Sequence, residues 1–202
     1  MALTAKDKGG GDYDPIPEDL HLAICYGIWD LGTQYSETWH INSHKVVILW
    51  ELPEVRGEFE REGKKLNLPR AISKQFTLSL HKKSELRKML ESWRGKKFTE
   101  DELSKGFDLK KLLGVPCQLQ VLHNKKDDKV YANIANIIKA PQGTNIKPEN
   151  PLVFFSFEES TEIPASTPEW IVKIIQQAKE WGGPCDPEND APPQEQREEV
   201  PF

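Results

Sequence analysis

Residues 71–95, AISKQFTLSLHKKSELRKMLESWRG, show a strand pattern that changes into a helix pattern. Over 71–80, the residues at 72, 74, 76 and 78 alternate with small polar residues, as in a strand with one face on a core. After Ser84, a candidate N-cap, apolar residues recur at helical spacing until Gly95. The stretch therefore predicts a strand followed by a helix, with Lys74 inside the apolar face of the strand.

Four further strand candidates surround this unit: residues 20–31 and 45–52 before it, and residues 116–123 and 130–138 after it. Three strands, a helix and two strands are the element order of an OB-fold barrel, in which the helix lies between strands three and four. Other five-stranded arrangements can have the same order. We expect a mainly β protein in which residues 20–157 form a five-stranded OB-fold barrel with a helical insert.

The chain outside the predicted barrel divides into three segments. Residues 1–19 contain a triple glycine and two prolines and are expected to be a flexible lead. Residues 158–183 carry an apolar helix pattern, and we expect this helix to pack on the barrel. Residues 184–202 are rich in Pro, Asp and Glu and predict a disordered acidic tail. Within the barrel, residues 33–43 are predicted as a loop and residues 54–69 as a charged connector.

The composition points to a protein with a real core and no membrane segment. Of the 202 residues, 37% are apolar and 29% are charged, and no stretch has the roughly 18–20 uninterrupted apolar residues of a membrane span. The first residues lack the apolar segment of a signal peptide. Three widely spaced cysteines, Cys25, Cys117 and Cys185, argue against a disulfide framework. We therefore expect a protein of a reducing cytoplasm.

Charge is distributed unevenly along the chain. Residues 61–140 carry 19 Lys and Arg against 9 Asp and Glu, whereas residues 150–202 carry 3 against 11. Residues 1–40 are also acidic, with 2 basic against 7 acidic residues. A basic middle between acidic ends is typical of a protein that binds a polyanion with its body. Two sets of solvated surface charges would give the same count.

Motifs for catalysis are missing from the sequence. No phosphate-binding glycine loop, nucleophile elbow or H-E-x-x-H motif occurs. His40 and His44 have i,i+4 spacing, but they lie in a predicted loop without further Cys or His ligands. We therefore expect a binding protein rather than an enzyme, with no metal and no cofactor.

Aromatic and basic residues alternate on the predicted strands and loops, as single-stranded nucleic acid requires. Bases stack on rings, and phosphates pair with cations. On an OB barrel, strands two and three and the loops joining strands one to two and four to five form the ligand face. This predicts the following DNA-binding residues: Tyr35, Trp39, Lys45, Trp50, Arg70, Lys74, Phe76, Lys125, Lys126 and Tyr131.

Three points about this set stay open at the level of sequence. Trp50 and Phe76 can equally fill the barrel core, because an alternating strand always turns one side inward. Lys74 is costly on an apolar face unless that face is solvated or meets an anion. The basic residues of the helix, including Lys83 and Lys88, either form its solvated side or extend the phosphate track.

The last five residues, EEVPF, carry a resemblance to a known family. Bacterial single-stranded-DNA-binding proteins, and functionally similar phage proteins, place a disordered acidic tail after an OB domain. The bacterial tails end in acidic residues, an aliphatic residue, Pro and Phe. Residues 68–99 and 129–137 are similar to uncharacterised single-stranded-DNA-binding proteins of tailed phages, a similarity that extends over most of residues 16–157. The residues that resemble the partner-binding tip are Glu198, Glu199, Val200, Pro201 and Phe202.

The resemblance implies a protein that coats single-stranded DNA during phage replication or recombination, in the cytoplasm of an infected bacterium. Its tail would recruit replication and recombination proteins. The long connector and the extra C-terminal helix depart from the bacterial pattern, so the bacterial tetramer interface does not carry over and a homo-oligomer stays an open option. The alternative is an OB-fold protein-interaction module that binds no nucleic acid.

Overall fold

The computed structural model describes residues 14–61, 63–126 and 129–184, and within them β-strands predominate. The strands are β1 (Asp19–Ser36), β2 (Ile41–Arg61), β3 (Lys64–Thr77), β4 (Pro116–Lys126), β5 (Lys129–Lys139) and β6 (Val153–Phe155). The helices are α1 (Glu85–Arg94), α2 (Glu100–Lys105) and α3 (Glu169–Ile175), with 3₁₀ turns at Leu109–Leu112 and Lys179–Trp181. The expectation of a mainly β protein is confirmed.

The strands form one six-stranded sheet whose antiparallel part has the order β3-β2-β1-β4-β5. β1 serves two neighbours: residues 19–24 pair with β4, and residues 24–36 pair with β2. β6 adds a short parallel pairing to β1. Within the described residues no backbone ladder joins β3 to β5, so the sheet is open at this seam and a closed OB barrel is not confirmed.

The main core lies on the concave side of the sheet, under α1. α1 buries Leu86, Met89, Leu90 and Trp93, the positions at which its apolar residues recur at helical spacing, and it packs mostly against β5. Each of these buried side chains contributes about 1.5–3 kcal/mol. The helix ends at Gly95, whose φ of 68° is left-handed and favours glycine. This packing holds α1 beside the open seam.

A second core lies on the other face of β1 and β2. Trp29 and Val47 contribute to it, and the chain from β6 to α3 covers them. Trp29 Nε1 donates a hydrogen bond to Thr167 Oγ1 at 2.9 Å, which satisfies the indole inside this core. The outer face of β1 and β2 is therefore closed by the C-terminal part of the described chain.

Two stretches predicted as loop or connector belong to strands. Most of residues 33–43 extends β1 and β2, leaving a short turn over residues 37–40. Residues 54–61 and 64–69 form a long arm of the β2–β3 hairpin, with pairs such as Phe59 opposite Leu66. Gly63, with φ 74°, lies in the turn of this arm. Exposed charged residues at 54, 56 and 58 alternate with half-buried residues at 55, 57 and 59, so the expectation of a connector was wrong for this stretch.

Candidate nucleic-acid interface

Trp39 lies in the turn between β1 and β2 and is 72% exposed. The turn contains His40, a non-glycine residue at positive φ (49°), and the ring of His40 hydrogen-bonds through Nδ1 with the hydroxyl of Tyr35 at 2.9 Å. Tyr35 is half-buried, so this contact fixes the base of the turn. The structure thus presents an indole ring to solvent on an ordered hairpin, where a base can stack on it.

Trp50 and Phe76 fill the core. The register places Trp50 opposite Ile72 and Phe76 opposite Val46, and both rings are buried on the concave side. Trp50 packs against Trp93 of α1, with ring centroids 5.8 Å apart. Trp50 has no face that a base can reach, and Phe76, at 3% exposure, contributes only an edge to the depressions beside α1, so the prediction that these two rings stack on bases needs correction.

Lys74 lies on the same concave face, opposite Ile48, and its charge has partners within the protein. Its Nζ is 2.6 Å from Glu85 Oε1 of α1 and donates a hydrogen bond to the backbone oxygen of Ile134 in β5 at 3.0 Å. The side chain therefore bridges the open seam between β3 and β5 and ties both strands to α1. These two contacts explain how a lysine is accommodated on an apolar strand face.

Two adjoining depressions run along α1, and we call them together the α1 groove. The first is lined by Lys45, Gln75, Phe76, Thr77, Lys83, Ser84 and Glu85. The second is lined by Lys74, Phe76, Glu85, Lys88, Met89, Ser92, Ile134, Ala135, Asn136 and Ile137. Phe76 and Glu85 line both depressions, so the two depressions adjoin at these residues. The lining contains four lysines and one carboxylate, an excess of cations that suits a chain of phosphates.

Lys83 and Lys88 were ambiguous in the sequence, and the structure places both in the α1 groove. Helical spacing puts Lys88 on the exposed side of α1, but spacing alone does not show what lies next to that side. In the sequence, Lys88 could have been identified as a groove residue from Lys74, because Lys74 lies on the strand just before α1 and the helix packs beside that strand.

The β4–β5 hairpin carries a separate basic group. Lys125, Lys126 and Lys129 are exposed beside the turn, and Tyr131 is half exposed on the face turned away from the core. The two aspartates of the turn, at 127 and 128, lie outside the described residues. This hairpin extends beyond the Asp19–Val121 pair, at the opposite end of β1 from the turn that holds Trp39.

The predicted site residues therefore do not form one continuous surface. Lys45 and Lys74 line the α1 groove, while Trp39 lies on the β1–β2 turn and Tyr131 on the β4–β5 hairpin. Arg70 is half-buried opposite Leu52, near the base of the long β2–β3 arm. The predicted tail residues 198–202 lie outside the described residues.

Polar contacts join the C-terminal chain to the β1–β2 hairpin. His44 Nε2 is 2.6 Å from Asp30 Oδ1, and this hydrogen bond raises the pKa of His44. Glu180 accepts hydrogen bonds from the backbone and hydroxyl of Thr33, both at 2.7 Å. Burial opposes ionisation of Glu180, but these bonds and the nearby His44 lower its pKa overall. These contacts help to keep the C-terminal chain over the outer face of β1 and β2.

The two described cysteines have no features of a reactive thiol. Cys25 and Cys117 are free and completely buried on the concave side. Burial raises the pKa of both thiols, so they stay protonated at neutral pH. Within residues 14–61, 63–126 and 129–184, no group of three His, Cys, Asp or Glu side chains is arranged to hold a metal ion.

Comparison of the chain with protein-family models, with curated proteins and with solved structures found no match. Among the helices of the described chain, none has the length and apolar character needed to cross a bilayer.

Proposed function

We propose that this protein binds single-stranded DNA without sequence preference. The observation that carries the proposal is the α1 groove, whose lining contains four lysines, Lys45, Lys74, Lys83 and Lys88, and a single carboxylate, Glu85, which pairs with Lys74. Phosphates of one strand would lie along this line of cations and release their counterions on binding. Contacts with phosphates alone do not distinguish one sequence from another.

In this proposal the exposed ring of Trp39 supplies the contact that favours an unpaired strand. A base can stack on the indole only when it has left its own duplex, and such stacking contributes about 1–3 kcal/mol per base. Lys45 lies four residues beyond the start of β2, about 14 Å along the strand from the turn that holds Trp39. One strand of DNA can therefore contact the ring and the near end of the groove together.

The fold and the biological role belong to the same proposal. The strand order, with β1 shared between β2 and β4 and the helices between β3 and β4, favours an OB-type barrel whose β3–β5 seam is bridged by Lys74. The resemblance of residues 198–202 favours recruitment of replication and recombination proteins through the tail. The setting would be DNA replication or recombination of a phage in the cytoplasm of its host.

Fluorescence titration with oligo-dT tests the proposal, because three of the six tryptophans are buried and Trp39 is the most exposed of the rest. We expect quenching and a band shift at low salt, both decreasing as salt is added. Quenching should be lost in Trp39→Phe and kept in the control Trp170→Phe, whose indole is 41% exposed on α3. The absence of both quenching and a band shift at low salt would exclude DNA binding.

The alternative, a protein-interaction module, is distinguished by the same titration. Trp39→Ala removes a ring that packs on little of the protein, so the fold should be kept. Loss of DNA binding with an unchanged thermal melt would favour the DNA-binding function. A wild-type chain that binds no DNA would favour the alternative.

A further inference from the structure

A cavity of about 710 Å³ lies at the C-terminal end of α1, where this helix meets the start of β4 and the turn after β5. Its volume is within the range of small-molecule sites, roughly 300–1,000 Å³. It shares no lining residue with the α1 groove, whose lining ends at Ser92 on α1 and Ile137 on β5. We call it the α1–β5 cavity, and it is lined by Trp93, Arg94, Val115, Pro116, Lys139 and residues 140–144.

The charged residues that line the α1–β5 cavity are both cations, Arg94 and Lys139, and no carboxylate of the described residues belongs to the lining. Lys139 lies opposite Cys117 of β4, which places its side chain on the concave side of the sheet. Glu102 pairs with Arg94 but also lies 3.6 Å from the Nζ of Lys96, so this one carboxylate leaves a net positive charge beside the cavity. An anion in the cavity is therefore favoured.

The guanidinium of Arg94 is held in place and keeps one donor without a partner. Its Cζ lies 4.3 Å from the ring centroid of Phe98 and 5.4 Å from that of Phe107, and its Nη2 donates to Glu102. Nη1 is buried, and no group of the described residues accepts a hydrogen bond from it. Buried donors in native proteins are almost always paired. A phosphate oxygen in the adjoining cavity can supply the acceptor after a small movement of the side chain, in a charge-assisted bond.

An apolar wall lies beside these cations. Trp93 lines the cavity, and its Nε1 donates a hydrogen bond to the backbone oxygen of Pro116 at 3.0 Å, which fixes the ring. Val115 adds apolar surface, and the turn after β5 is closed by a hydrogen bond from the backbone N–H of Thr144 to the backbone oxygen of Pro141 at 3.2 Å. Inorganic phosphate gains nothing from an apolar wall, whereas a ligand with an anionic group and an apolar body contacts both parts of the lining.

From these observations we propose that the α1–β5 cavity binds a nucleotide, with the phosphate on Arg94 and Lys139 and the sugar and base against the apolar wall. A free nucleotide and a nucleotide within a DNA strand offer this same chemistry. A strand could reach the cavity from the α1 groove, because Ser92 directly precedes Trp93 and Ile137 lies two residues before Lys139. Only this second source depends on the proposed function.

Titration of the isotope-labelled full chain with thymidine monophosphate, followed by NMR, tests this proposal. We expect saturable shifts of the amide signals of residues 142–144 and of the indole N–H of Trp93. Thymidine and inorganic phosphate should each bind at least about 10-fold more weakly, because each lacks one half of the contacts. Lys139→Gln should weaken binding about 10-fold, because it removes a charge-assisted bond to the phosphate. The matched control is Lys173→Gln, an exposed lysine of α3 outside the lining, which should leave the affinity unchanged.

Arg94→Lys provides a second variant, which keeps the charge but loses the planar fork of donors, and thermal melts establish that both variants are folded. The absence of saturable shifts up to about 10 mM thymidine monophosphate would overturn the proposal. Shifts confined to the lining of the α1 groove would overturn it, and so would an unchanged affinity in both folded variants. Inorganic phosphate that binds as tightly as the nucleotide would also overturn it.

Competition with oligo-dT distinguishes the two sources of the nucleotide. Displacement of thymidine monophosphate by oligo-dT would uphold the proposal and assign the cavity to a DNA strand. Binding of thymidine monophosphate that oligo-dT leaves unchanged would uphold it and assign the cavity to a free nucleotide. A chain that binds thymidine monophosphate but not oligo-dT would refute only the proposed function.

Discussion

Replacing Lys45 and Lys88 together by alanine removes one cation from each of the two depressions of the α1 groove. Lys45 is half-buried on β2 and Lys88 is exposed on α1, and both lie outside the two cores. We therefore expect an unchanged free energy of unfolding. The effect of the double substitution should appear in the salt dependence of DNA binding.

The size of that effect follows from the number of phosphate contacts. For single strands, the logarithm of the binding constant falls with the logarithm of salt concentration with a slope of about −0.7 per neutralised phosphate. Lys74 is already paired with Glu85, so we count Lys45 and Lys88 as phosphate contacts, and together they contribute about −1.4 to the slope. The double variant should reduce the magnitude of the slope by about 1.4.

Fluorescence anisotropy of labelled oligo-dT at four or five salt concentrations gives the slope. Lys105→Ala with Lys173→Ala is the matched control, because it removes two exposed lysines from α2 and α3, away from the groove. Equal slopes for the wild-type chain and the double variant, with DNA binding retained, would refute the assignment of phosphates to the groove. An equal loss in the control would show that general charge, and not the groove, drives binding.

Three further predictions concern single residues. Trp39→Ala should weaken oligo-dT binding about 5- to 150-fold, the equivalent of one stacked base, without lowering the melting temperature, and anisotropy and circular dichroism measure the two effects. Trp50→Ala should lower the free energy of unfolding by about 3–5 kcal/mol in urea titrations, because it empties the contact with Trp93, and an exposed stacking role would predict almost no loss. His44 has its pKa raised by Asp30, so its contribution to stability is complete below about pH 6.5 and is lost as pH rises through the raised value. Melting temperatures between pH 6 and 9 should therefore fall more for the wild-type chain than for His44→Gln.

The sequence predicted the strand–helix unit and the order of elements because their periodicities are local. Helical spacing and the αL position of Gly95 both depend on neighbouring residues, and the structure has α1 at this place. The long β2–β3 arm was missed although exposed charged residues at 54, 56 and 58 alternate with half-buried residues at 55, 57 and 59, because its high charge is also typical of a connector.

The candidate site was harder to predict, because it depends on contacts between distant parts of the chain. The sequence marked Lys74 as unusual but could not show Glu85 or the backbone oxygen of Ile134 beside it. It also could not show that the C-terminal chain covers Trp29 on the outer face of β1. The alternation of residues along a strand assigns Phe76 to one face of the sheet. Whether that face is buried depends on where α1 packs, which the sequence does not show.

Photo-cross-linking of the full chain to oligo-dT with photoreactive thymine analogues, followed by mass spectrometry, tests the central claim most directly. The account predicts cross-links at Trp39 and in the peptide that spans residues 83–92 of the α1 groove. Cross-links confined to α3 or to the outer face of β4 and β5 would contradict the account. Bound DNA that gives no cross-link along the α1 groove or at Trp39 would contradict it as well.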